Sequence, residues 1–132
     1  AMAAGVGSAL VQKELKKDRL YKKWSADKAP ITKEGWLHKE GHVNKNWKLR
    51  YFRLKGRYMA YTKDDTTREA IGIIDLRGSC TQPPTNQRAG RPHCFRLNID
   101  AGKNVHRKFL LSADNSAELE GWNVLLNQAA SL

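Results

Sequence analysis

Between residues 31 and 111, apolar and polar positions alternate in short runs broken by turn residues. Period-two alternation of this kind marks half-buried strands rather than helices. The runs predict strands over 32–39, 47–55, 57–63, 70–76, 78–82, 93–99 and 105–111. Gly41, Gly56, Asp64-Asp65, Gly78, Pro83-Pro84 and Gly102 punctuate them. Seven closely spaced short strands imply an antiparallel sandwich or barrel. The pattern changes at both ends. Residues 10–24 hold good helix formers without proline or glycine and predict a helix, with Pro30 closing the segment. Its apolar residues (Leu10, Val11, Leu15, Leu20, Tyr21, Trp24) make no clean stripe, because Lys13 and Lys17 interrupt them. A second helix begins near Asn115, which with Glu118 resembles a capping box. Leu119, Trp122, Leu126 and Ala129 then recur at three- and four-residue steps, giving one apolar face. That face needs an apolar surface to cover, such as one open end of a small barrel.

Composition narrows the reading. The 132 residues suit one compact domain, with 40% hydrophobic residues for a core and 28% charged residues on its surface. No apolar run approaches the roughly 18 residues of a spanning helix. No charged-then-apolar signal peptide opens the sequence, and Ala1-Met2-Ala3 reads as an addition before the native chain. Cys80 and Cys94 are too few for a secreted disulfide scaffold, and reduced, packing thiols are expected. The net charge of +11 points to a polyanionic partner: nucleic acid, an anionic membrane leaflet or an acidic protein. Charge alone does not choose among them.

The placement of the cations does more. Side chains on a strand alternate between faces, so Lys48, Arg50, Phe52 and Leu54 share one face. Leu37 and Lys39 share another, as do Met59 and Tyr61. Folding the first two strands about the loop 40–46 brings Lys39, Lys48 and Arg50 to the hairpin mouth. Lys45 lies on the loop above them, and Tyr61 offers its hydroxyl nearby. Any one of these cations is best read as a solvated guard against edge pairing. Four converging on one loop favour an anion site, since arginine supplies a planar fork and lysine a mobile charge. At the loop tip, Val43 beside His42 is a candidate membrane contact, with an isolated exposed valine an equal alternative.

Glu34-Gly35-Trp36-Leu37-His38-Lys39, followed by Gly41, Lys45, Trp47, Lys48, Arg50, Tyr51 and Phe52, closely resembles the first hairpin of pleckstrin-homology (PH) domains. The hairpin resembles that of the PH domain of protein kinase B (Akt), and 71–78 looks more like the C-terminal PH domain of pleckstrin. Trp122 stands where the family places its signature tryptophan. The resemblance covers about 31–131 and implies a mainly β fold: a seven-stranded sandwich or partly open barrel capped by a C-terminal helix. Residues 1–30 then form a basic, partly helical N-terminal extension before a PH domain at 31–132. The resemblance also implies headgroup binding between the first, third and sixth interstrand loops, with Lys39, Lys48 and Arg50 matching the family's phosphoinositide pattern. Four departures stand against it. Glu40 replaces a basic loop residue, His42 and Asn44 differ, and Asn98 stands where a phosphate-contacting arginine is expected. These make phosphatidic acid or a monophosphoinositide a serious competitor.

No catalytic set emerges, so an enzyme is not expected, and no cofactor is implied. His38 and His42 lie four apart but flank a strand and a loop, which argues against a metal site. No RNP-like aromatic motif supports nucleic-acid binding. The expected function is recruitment of a cytoplasmic protein, as a monomer, to an anionic phospholipid membrane at the cytosolic leaflet. A protein-interaction module with an acidic partner is the alternative. Lys13, Lys16, Lys17, Arg19, Lys22 and Lys23 either add non-specific membrane attraction or coat a helix docked by Leu20 and Trp24.

Overall fold

The computed structural model describes residues 9–41, 46–83, 91–100 and 106–132. The chain runs α1 (Ala9–Ala26), β1 (Ile31–Glu40), β2 (Trp47–Lys55), β3 (Tyr58–Thr62), β4 (Gly72–Asp75), β5 (Cys80–Gln82), β6 (Cys94–Asp100), β7 (His106–Ser112) and α2 (Ser116–Ala130). Every strand expected from alternation is present. The strands form one antiparallel open sheet in the order β4-β3-β2-β1-β7-β6-β5. β5 starts later than expected because residues 76–79 form a turn, with Gly78 at φ 74° and the Ser79 N–H donating to the Leu76 carbonyl. Cys80 and Cys94 are free thiols.

Alternation decides what is buried. Leu37, Phe52, Leu54, Met59, Leu97 and Leu111 lie on the inner face of the curled sheet, each at most 1% exposed. Burying a side chain of this size stabilises by about 1.5–3 kcal/mol. α2 closes one end of this core with Trp122, Leu126 and Ala129. Asn115 caps the helix as expected, its Oδ1 accepting the Glu118 N–H at 2.8 Å. The Glu118 carboxylate does not turn back to complete the box. It pairs with Lys33 at 3.0 Å, and the Lys33 ammonium lies 5.2 Å from the Trp122 ring centroid. Trp122 therefore marks the end of the barrel where β1 begins.

A second, smaller cluster lies on the outer face. Tyr58, Ala60, Ala70 and Ile73 are buried there beneath Leu20 and Trp24 of α1. Those two residues are four apart and share a helix face. The contact is narrow, which is why α1 shows no broad apolar stripe. Its position is also fixed at the β2–β3 turn. Gly56 has φ 56°, and a Cβ there would come within 2.6 Å of the Asp27 Oδ2. Glycine serves both the left-handed turn and the close approach.

Candidate functional site

The inner face of the hairpin passes from core to cation within a few residues. Along β1 it runs from buried Leu37 to half-buried Lys39; along β2, in reverse, from Leu54 and Phe52 to Arg50 and exposed Lys48. The ladder places Leu37 opposite Arg50 and Lys39 opposite Lys48. β3 adds Tyr61, opposite Phe52, with their ring centroids 5.2 Å apart. Gly72 of β4 lies opposite Tyr61, and a Cβ there would come within 2.5 Å of the tyrosine hydroxyl. The absence of a side chain at 72 thus leaves room for the ring.

Lys39 sits above this aromatic floor. Its ammonium is 5.6 Å from the Tyr61 centroid and 5.1 Å from that of Phe109. Burial lowers its pKa, and the positive charges of Arg107, Arg50 and Lys48 lower it further. Burial raises the Tyr61 pKa, while Arg107 and Arg50 act in the opposite direction. Lys48, Arg50 and Arg107 therefore all act on Lys39 through space, and no carboxylate of the described residues offsets them at Lys39 or Tyr61. The Arg50 Nη1 donates to the neighbouring Leu49 carbonyl at 2.8 Å.

Lys39, Lys48, Arg50 and Tyr61 are thus brought together as the hairpin geometry implied. His42, Val43 and Lys45 fall outside the described residues. Arg107 was missed. Its guanidinium lies 5.2 Å from the centroid of Phe109, the ring that also faces Lys39. Parity held the signal, since Arg107, Phe109 and Leu111 share a face of the predicted seventh strand.

Two expected defects of the site turn away from it. Glu40 follows Lys39 directly, so its side chain takes the outer face, where its charge acts on Cys94. Asn98 lies between buried Leu97 and Ile99 and likewise faces outward. It donates to the Gln82 Oε1 at 2.9 Å. Neither residue subtracts charge from the basic rim.

Residues 31–131 match the sequence profile of the PH domain. The chain belongs to the PH domain family. This PH domain is 36% identical over 91 residues to serine/threonine-protein kinase pakC of Dictyostelium discoideum, covering 68% of this chain and 18% of the kinase. It is 35% identical over 95 residues to the Mus musculus dual adapter for phosphotyrosine and 3-phosphotyrosine and 3-phosphoinositide, covering 72% of this chain and 32% of the adapter. It thus spans less than a third of either relative. Among solved structures it resembles the C-terminal PH domain of pleckstrin in complex with D-myo-Ins(1,2,3,5,6)P5. The TM-score is 0.64 at 28% identity, over 77% of this chain and 97% of that one. The PH domain is generally a non-enzymatic module, carried in these relatives as one part of a larger protein.

Proposed function

We propose that this PH domain recruits its protein to the cytosolic leaflet by gripping a polyphosphorylated inositide headgroup. The observation that carries the reading is the convergence of Lys39, Lys48, Arg50 and Arg107 by the Tyr61–Phe109 floor, with no carboxylate ion-paired to them among the described residues. Burial and repulsion disfavour the charged Lys39 in the free domain, and an anion relieves both. Arg50 and Arg107 offer forks to phosphate oxygens, Lys39 and Lys48 offer mobile charges, and Tyr61 presents a hydroxyl. These groups stand on strands, so little ordering is needed on binding.

The rim is too rich in charge for one phosphomonoester. A phosphate of nearly double charge is matched by two cations, and the hairpin already supplies three. Arg107, over the same Phe109 ring as Lys39, adds a fourth cation that a second phosphate can take. With Glu40 and Asn98 facing outward, the case for phosphatidic acid over an inositide weakens. The reading is further supported by pleckstrin's C-terminal domain, whose structure holds an inositol pentakisphosphate, and by the adapter's name. Binding involves no catalytic step.

Vesicles matched in total charge and carrying phosphatidylserine, phosphatidic acid or single inositides test the proposal by sedimentation. The intact domain should select an inositide bearing at least two ring phosphates. Lys48→Ala with Arg50→Ala should abolish that selection in a domain that melts normally. Two charge-assisted bonds of about 1.5–3 kcal/mol each correspond to a loss of roughly 100-fold or more. Equal binding to phosphatidic acid, or selectivity retained by the folded double variant, would overturn it.

A further inference from the structure

A groove of about 490 Å³ runs between α1 and the outer face of β2 and β3. That size is typical of ligand sites. Trp24, Ala60 and Ala70 give it an apolar lining, and Tyr21 and Ile31 are 46% and 43% exposed at its edges. Arg53, Lys55 and Arg68 also line it, against a single acid, Asp65. Arg53 is held by neutral acceptors: its Nη1 donates to the Thr62 Oγ1 at 3.2 Å and its Nη2 to the Asp65 carbonyl at 2.9 Å. The Lys55 ammonium rests 4.4 Å from the Trp24 centroid. Arg68 is exposed. Among the described residues the ion pairs are Lys33–Glu118 and Arg57–Asp75, so no carboxylate there is paired with Arg53, Lys55 or Arg68.

We propose that this groove is a second, protein-binding site taking an acidic peptide segment, its carboxylates on Arg53, Lys55 and Arg68 and one apolar side chain against Trp24. Charge complementarity selects an anionic ligand, and the Trp24 indole with exposed Tyr21 and Ile31 beside it selects one with an apolar anchor. The position selects a peptide over a membrane. Lys55 stands seven residues along β2 from Lys48, about 23 Å at strand rise, and alternation puts it on the other face. A bilayer held at the basic rim does not reach the Trp24–Lys55 end of the groove, whereas an extended peptide spans it. Both ligands then bind at once.

An array of short glutamate-rich peptides, each with one leucine or tryptophan at a varied position, tests this beside the same array with lysine for glutamate. The intact chain should bind acidic peptides and ignore the lysine set. Amide NMR shifts with the best binder should gather at Trp24, Arg53 and Lys55, not at Lys39 or Arg107. Lys55→Gln and Arg68→Gln should each weaken binding roughly tenfold, as loss of one charge-assisted contact predicts. Arg68, on the surface, is replaced without disturbing the core. Saturating soluble inositol polyphosphate should leave peptide affinity unchanged. The proposal fails if no acidic peptide binds, if the shifts fall on the basic rim, or if inositol polyphosphate displaces the peptide. It fails equally if phosphatidylserine vesicles produce the groove's shift pattern in place of the peptides.

Discussion

Lys39 and Lys48 are direct partners across the β1–β2 ladder, two like charges on the inner side of one sheet. Like charges placed directly opposite destabilise a sheet by about 0.2–1 kcal/mol. Burial adds to the penalty on Lys39. Lys39→Met should therefore raise the melting temperature by a few degrees, about 2–5 °C, while weakening vesicle binding. The lowered pKa fixes the sign with pH. The unfolded chain holds the Lys39 proton more tightly than the fold does. Wild-type stability from this group thus rises as pH climbs through the lowered pKa towards the ordinary value of 10.5. The advantage of methionine should shrink over that alkaline window, and paired melting curves at neutral and alkaline pH measure it.

Trp122 is fully buried, and its indole Nε1 has no hydrogen-bond partner among the described residues. Trp122→Ala should cost about 3–5 kcal/mol in denaturant unfolding, a large share of a small domain's stability. Trp122→Phe should cost much less, because a ring stays in place and the unpaired donor disappears. Equal losses for the two variants would place the destabilisation elsewhere than in the core.

α1 is docked by Leu20 and Trp24, and Arg19, Lys22 and Lys23 are exposed on it. Packing and membrane attraction therefore separate by residue. Trp24→Ala should lower the melting temperature at any ionic strength. Replacing Arg19, Lys22 and Lys23 by glutamine should leave melting unchanged and weaken binding to phosphatidylserine vesicles at low salt. The effect should amount to about 1 kcal/mol per charge at most and fade as the Debye length contracts.

In the β3–β4 connection, the Asp64 Oδ1 accepts from the backbone N–H and hydroxyl groups of both Thr66 and Thr67, at 2.6–3.1 Å. The hydroxyl bonds, Thr67 first, do most to lower its pKa to about 2. A depressed carboxylate stabilises the fold above its unfolded pKa, and that stabilisation is lost as pH falls from the ordinary 3.8 towards about 2. Amide shifts of Thr66 and Thr67 should titrate with a midpoint near the lower value. Asp64→Asn should abolish that titration. A midpoint near 3.8 would show that the threonine contacts do not persist in solution.

How far the sequence revealed these features depended on whether a local rule decided them. Alternation located β1, β2 and β3 and put Lys39, Lys48 and Arg50 on the face that also buries Leu37 and Phe52. Asn115 announced α2 because capping is a contact within a few residues. Arg107 was equally accessible to parity but shares no hairpin with Lys39. Only the β1–β7 pairing, Lys39 opposite Leu111, draws its strand to the site. Glu40 and Asn98 mislead when positions are compared without their faces, since one step along a strand reverses the side chain. The groove was hidden for another reason. It exists only because α1 lies across β3 and β4, a contact that Leu20 and Trp24 permit and no short-range pattern specifies.

The aromatic bed beneath Lys39 gives the rim a magnetic signature. With its ammonium 5.6 Å and 5.1 Å over the Tyr61 and Phe109 rings, the neighbouring methylene is expected to feel the shielding of two ring currents. Its proton resonances should sit upfield of those of the solvated lysines. A bound phosphate that draws the ammonium outward moves them back downfield, so a single lysine signal reports occupancy directly, without a label.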